Sequence, residues 1–334
     1  MSDALQLFYE YLFNAKSYMK TMLIFPGQGS QYVGMGKDVY ENYEYSKKTF
    51  LQTNDAIGEN LTDLIFNGDE EELKKSYNTQ PALMVVSVAI YLAMKEQYGS
   101  KLDELNICGV AGHSLGEYSA LCVSGALNIE ETTKILHKRG RAMFNCVSND
   151  TGMLAVIGSD KETIKQNIDV IKPKCLVIAN SNSVGQIVVS GYLDDIEKFK
   201  IQMEGKAKRL IPLPVSGAFH SPLMQKAQDE MYEEIGRLNV KKPNYAILQN
   251  YSCKFETEPD VIKTNLQKQI TGPVLWCENM QMAIENGFDT FIEIGAKNVL
   301  SGLMKRIITK EQEEKIKIIN IETVEDIKTL FEKL

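Results

Sequence analysis

The pentapeptide Gly112-His113-Ser114-Leu115-Gly116 is the strongest chemical signal in the chain. It follows an apolar run that reads as a strand and opens a helical pattern, the setting a nucleophile elbow requires. Flanking glycines keep steric bulk out of the tight turn, so the serine hydroxyl projects above the sheet. The N-terminus of the next helix then lies beside it, with unpaired N–H groups and partial positive charge that suit an oxyanion. Such a serine needs a base, and the chain offers three histidines, His113, His137 and His220. His113 precedes the serine in the turn, so its side chain is expected to point elsewhere. His137 shares a helix with Arg139 but lies about 200° from it around the axis, so if one of them faces a cleft the other does not. His220 sits in a loop bounded by Gly217 and Pro222 and is the foremost candidate, because a loop between subdomains can reach a cleft.

Arg139 begins the stretch Arg139-Gly140-Arg141 in an amphipathic helical pattern. It reads either as a solvated surface charge or as a bidentate clamp on a substrate carboxylate; spacing does not decide between them. The loop Phe25-Pro26-Gly27-Gln28-Gly29-Ser30-Gln31 resembles a phosphate cradle at first sight. A P-loop ending at Lys37 would need glycine at Gln31, and a dinucleotide fingerprint would need glycine at Tyr32. Donation of a backbone N–H to an oxyanion is the better use for this loop beside the elbow.

Positioning these groups requires an α/β framework. Residues 21–25 form a short apolar run ending at Pro26-Gly27, which reads as a buried strand entering a loop. Helical patterns cover 37–57 and 81–98, a strand 107–112, and helices 115–124 and 130–146. Strand and helix alternation of this kind predicts a largely parallel sheet. From 150 to 217 the rhythm changes to β-α-β-β-α-β, with strands at 153–157, 176–179, 186–190 and 207–213 and helices at 161–171 and 193–203. That is the order of a ferredoxin-like unit, here expected as an insertion into the larger core. The core resumes with a helix after His220, a strand at 245–250, a helix over 276–286 and a strand at 290–294. The expected division is therefore a core of residues 21–149 and 218–334, an insert of 150–217, and an N-terminal extension of 1–20. In that extension Leu5, Phe8 and Leu12 suggest a short amphipathic helix, and Asp3 and Glu10 argue against a secretory signal.

Composition narrows the partners. With 334 residues the chain can bury one large core or a core plus a smaller unit. A net charge of −7 disfavours nucleic acid, which needs a basic surface. No apolar run is long enough to span a bilayer. The six cysteines are scattered without a C-x-x-C pair, so neither zinc spacing nor a disulfide framework is expected, and a reducing cytoplasm is the natural compartment. An acidic carrier protein would need a local basic patch, for which Lys206, Lys208 and Arg209 are the candidates; monomer is the default state.

The chain resembles malonyl-CoA:acyl-carrier-protein transacylases of dissociated fatty-acid synthesis and their polyketide-synthase relatives. The resemblance rests on FPGQGSQYVGMG (25–36), TQPAL (79–83), GHSLGEYSAL (112–121), KRGRAM (138–143), QIVVSG (186–191), PVSGAFHSPLM (214–224), QITGPVLW (269–276) and FIEIG with VLSGL (291–303), in family order. It implies an α/β-hydrolase-like core with an inserted ferredoxin-like subdomain. It also implies Ser114 as the acylated nucleophile, His220 as its base, and Arg139 as the group holding malonate's free carboxylate. Gln28 and Leu115 match the residues whose N–H groups form the oxyanion hole, and Gln269 the one whose main-chain carbonyl orients the histidine. The segment Gly217-Ala218-Phe219-His220 is similar to the malonyl-preferring form. Gly295-Ala296 departs from a Gly-Pro common in the family. No cofactor or metal is implied beyond the coenzyme A thioester as substrate. A serine esterase or thioesterase is the competing reading; it calls for a carboxylate orienting the histidine.

Overall fold

The computed structural model describes residues 19–215 and 217–333. The amphipathic pattern expected over 1–20 therefore falls outside the described residues, apart from Met19 and Lys20. Among these residues ten strands make two sheets. The larger contains β1 (Thr21–Phe25), β2 (Ile107–Gly112), β7 (Ala246–Leu248), β8 (Phe255–Glu256), β9 (Thr290–Ile294) and β10 (Lys317–Ile321), in the order β10-β9-β1-β2-β7-β8. All neighbours run parallel except β7 and β8. The central strand β1 is buried along its whole length, as expected where a parallel sheet is covered on both faces. Its Leu23 pairs with Val110 on one side and Ile292 on the other.

The smaller sheet contains β3 (Thr151–Ile157), β4 (Leu176–Ser183), β5 (Gln186–Tyr192) and β6 (Arg209–Pro212), in the order β4-β5-β3-β6, antiparallel throughout. Helices Lys161–Ile171 and Leu193–Gln202 cover it and enclose their own apolar cluster around Leu154, Val189 and Phe199. Val274, from the large unit, extends this sheet: it donates to Ala179 at 2.8 Å and accepts from Ser181 at 3.0 Å. The chain is thus mixed α/β, with one mainly parallel and one antiparallel sheet.

Four departures from the sequence reading have clear causes. The pattern over 37–57 is two helices, Lys37–Asn42 and Glu44–Ile57, broken at the extended Tyr43. The helix expected from 81 begins at Ser76 and keeps Pro81 inside. Its first turn is closed before the proline is reached, by the Asn78 and Thr79 N–H groups donating to Lys75, so Pro81 forfeits a single bond. The polar run 180–185, which separates the strands expected at 176–179 and 186–190, is mostly strand: β4 continues to Ser183 with irregular register near Asn180 and Asn182. The strand expected over 245–250 ends at Leu248, which frees Gln249 and Asn250 from the ladder for side-chain work.

Candidate active site

The elbow is built from sterics that only glycine satisfies. Ser114 sits between β2 and the helix Gly116–Val123 with a φ of 52°, a left-handed conformation that is uncommon for a non-glycine residue. A Cβ on Gly112 would lie 1.9 Å from the Gly116 carbonyl carbon, and one on Gly116 would lie 2.2 Å from the Phe25 oxygen. The turn is therefore pressed against the end of β1. Asn250 fastens it from the other side: its Oδ1 accepts the Ser114 N–H at 2.7 Å, and its Nδ2 donates to the Gly112 carbonyl at 2.6 Å.

Of the three histidines, His220 meets the serine. Its Nε2 lies 2.8 Å from Ser114 Oγ, and its Nδ1 lies 2.9 Å from the main-chain carbonyl of Gln269. A carbonyl only accepts, so Nδ1 carries the proton and Nε2 is left to accept from the serine hydroxyl. His220 is 5% exposed, and its pKa is pushed down to about 3, first by burial and then by the neighbouring Arg139 charge. The ring is thus a free base at neutral pH. His113 turns toward the small sheet, with Nε2 2.9 Å from Asn182 Oδ1 and its ring against Trp276. His137 packs on the outer side of its helix with Tyr77 and Arg141.

Arg139, from the helix Ile129–Asn145, is 1% exposed, so the surface-charge reading does not hold. Nη1 donates to Gln80 Oε1 at 2.7 Å; Nη2 donates to Gln269 Oε1 at 2.9 Å and to Ser114 Oγ at 3.2 Å. These direct partners are all uncharged, and among the described residues the buried Nε–H has no acceptor. Close approach brings the two helices together: a Cβ on Gly140 would lie 2.4 Å from the Ser76 carbonyl oxygen, so backbone meets backbone where Arg139 reaches Gln80.

Gln28 and Leu115 line the same cavity, of about 160 Å³, as Ser114, Arg139 and His220. Among the described residues neither the Gln28 nor the Leu115 backbone N–H donates to a protein acceptor. Apolar walls come from Met143, Met153, Val188, Leu213 and Phe219. The exposed Lys206, Lys208 and Arg209 lie on the small unit, where Lys206 is tied to Asn167 at 2.7 Å. Among the described residues no His, Cys, Asp or Glu cluster is arranged to hold a metal, and no helix is long and apolar enough to cross a membrane.

Sequence reasoning missed Gln80, Glu117, Gln249 and Asn250. Gln80 and Glu117 lie inside motifs quoted for the resemblance, but nothing in their spacing assigns them a partner. Asn250 carries a faint signal, a polar pair following an apolar strand.

The arrangement can deprotonate a serine, hold an oxyanion and receive an anionic group beside the reacting oxygen. Residues 22–326 match the acyl transferase domain family. The chain is 40% identical over 319 residues to the malonyl CoA-acyl carrier protein transacylase of Bacillus subtilis (strain 168), covering 94% of this chain and 98% of that one. Among solved structures it is similar to the acyl-carrier-protein-S-malonyltransferase from Bartonella henselae, with a TM-score of 0.88, 37% identity and coverage of 94% and 99%. It is also similar to a malonyl-transacylase in complex with its type II PKS acyl-carrier protein, with a TM-score of 0.87, 32% identity and coverage of 94% and 100%.

Proposed function

Because the chain belongs to the acyl transferase domain family and to its malonyl CoA-acyl carrier protein transacylases, we propose that it moves a malonyl group from malonyl-CoA to the phosphopantetheine thiol of an acyl carrier protein, in support of fatty-acid chain elongation. Ser114 is the nucleophile, His220 its base, and Arg139 the partner of the donor's free carboxylate. Gln28 and Leu115 offer the oxyanion their N–H groups, and the Gln269 carbonyl orients the histidine.

In the first half-reaction His220 Nε2 takes the Ser114 proton as Oγ attacks the thioester carbonyl. The tetrahedral intermediate collapses with cleavage of the C–S bond, and coenzyme A leaves as the thiol with the proton from Nε2. In the second, the carrier thiol gives its proton to Nε2 and attacks the malonyl ester, and Ser114 recovers that proton as it leaves. Both halves use one base and one oxyanion site, so ping-pong kinetics are expected.

The observation that carries this reading is Arg139: a buried guanidinium, directly paired only to uncharged groups, 3.2 Å from the reacting oxygen. A buried charge without an ionic partner is costly, and a malonyl carboxylate supplies that partner. The Gln269 carbonyl in the third position, where a serine hydrolase usually carries a carboxylate, weighs against the esterase reading.

The element order β-α-β-β-α-β supports the finer fold description, an α/β-hydrolase-like core of 21–149 and 218–334 with a ferredoxin-like insert of 150–217. Lys206, Lys208 and Arg209 remain the candidate carrier-docking patch. A monomer in the cytoplasm, without cofactor or metal, is the simplest setting. A polyketide carrier is a second acceptor to test, given the transacylase–PKS carrier complex among the similar structures.

Intact-mass spectrometry after mixing with malonyl-CoA is expected to show one malonyl adduct on Ser114. That adduct should persist until a fatty-acid or polyketide carrier thiol is added. An adduct that survives Ser114→Ala, or prompt release of free malonate, overturns the assignment.

A further inference from the structure

Glu117 lies in the helix that follows the elbow, yet it is 1% exposed. Its Oε1 accepts from Gln249 Nε2 at 2.9 Å; its Oε2 accepts from the Asn250 N–H and from Gln269 Nε2, each at 2.9 Å. All three partners are donors. A protonated carboxyl would have to place its own O–H against one of them, so the set fits the ionised form. Burial raises the Glu117 pKa above the usual carboxylate value, with these hydrogen bonds and the Arg139 charge pulling against it, so it is the all-donor set of partners that favours the ionised form.

The Gln269 side chain stands between this anion and the buried cation. Its Oε1 accepts from Arg139 at 2.9 Å, and its Nε2 donates to Glu117 and to the Ser114 carbonyl. The amide dipole is thereby aligned, oxygen toward the guanidinium and nitrogen toward the carboxylate. A carboxylate in direct contact with Arg139 would neutralise it and compete with any incoming anion. A cation with no counter-charge would make the free protein costly to fold.

We propose that Glu117 is the counter-ion of Arg139, held one amide away by Gln269, and that this spacing keeps the guanidinium charged yet open to the donor's carboxylate. Glu117 is a positioning residue, acting through Gln269 and Arg139. The inference rests on the malonyl-transfer reading only for the identity of the incoming anion; the charge coupling stands without it.

A thermodynamic cycle tests the coupling. Glu117→Gln is compared in the wild-type and Arg139→Gln backgrounds by denaturant unfolding. With Arg139 present the substitution is expected to lower the folding equilibrium constant by about tenfold or more beyond its effect in the Arg139→Gln background. If Glu117→Gln does not fold alone, recovery of folding in the double variant is the expected result. Equal losses in both backgrounds, or failure to fold in both, overturn the proposal, because a carboxylate that merely holds Asn250 would not sense Arg139.

A charge exchange tests the spacing. Glu117→Gln with Gln269→Glu keeps the net charge but puts a carboxylate on the guanidinium. The ratio of malonyl-CoA to acetyl-CoA kcat/KM is expected to fall by about tenfold or more; an unchanged ratio overturns the spacing argument. A wild-type protein that transfers no malonyl group overturns the proposed function instead, and the unfolding cycle still reads the coupling.

Discussion

At the scale of single residues, Arg139 affects two neighbours in different ways. Its Nη2 donates to Ser114 Oγ, favouring the deprotonated oxygen, and its charge helps depress the His220 pKa to about 3. Removing it should therefore act on both specificity and pH dependence. Arg139→Ala is expected to lower malonyl-CoA kcat/KM by about a hundredfold while costing acetyl-CoA much less, since a buried charge-assisted contact is worth about 1.5–3 kcal/mol. The same variant relieves His220 of a nearby like charge, so its pKa rises toward 6.5. The acid limb of acetyl transfer should then move to higher pH. Equal losses for both donors, or an acid limb that stays in place, would remove Arg139 from these roles. From the sequence, Ser114 was legible because its neighbours are its own glycines. Spacing alone leaves Arg139 open, because a helical position two residues from another polar one gives no sign of which face is buried; only the family resemblance points to it.

At the scale of elements, the site depends on how closely two helices cross. Gly140 lets the helix Ile129–Asn145 meet the start of Ser76–Tyr98, and a Cβ there would lie 2.4 Å from a backbone oxygen that cannot rotate away. Gly140→Ala is expected to push the helices apart at a cost of about 1–3 kcal/mol, a typical penalty for overpacking. Because Arg139 and Gln80 sit at that crossing, malonyl transfer should fall more than the loss of folded protein explains. Unfolding and kinetics on the same samples separate the two; an unchanged kcat/KM per folded molecule would show that the crossing tolerates the methyl. Helix 76–98 also shows where sequence reading of elements stops. Proline marks a boundary in most helices, but here the first turn forms on the Lys75 carbonyl before Pro81 intervenes. Likewise Asn180 and Asn182 fall between the strands expected at 176–179 and 186–190, yet the irregular register of β4 holds them in strand and both line the cavity.

At the scale of the whole molecule, the site joins both sheets and draws on residues from Gln28 to Gln269, and folding must bury His220 in its neutral form. An unfolded histidine takes up a proton near pH 6.5, whereas the folded one resists down to about 3. Between those values the unfolded state binds more protons, so stability falls as pH drops through that window. Glu117 and Glu293 are displaced upward by burial, which acts in the opposite sense over their own titration. The comparison with His220→Ala isolates the histidine. The stability difference between wild type and variant is expected to change in the variant's favour from about pH 7 to about pH 5, measured by denaturant unfolding; a constant difference would contradict the buried neutral state. The sequence by itself determined the elbow, the alternation of strand and helix, the change of rhythm at the small unit, and the family, since each is written in residues close together along the chain. Only the tertiary structure showed that His220 reaches Ser114, that Arg139 is buried, and that Gln80, Glu117, Asn250 and the Gln269 side chain surround them. Those contacts join residues up to 155 positions apart. Hydrogen-bond geometry and burial depend on distances through space, and spacing along the chain does not encode them.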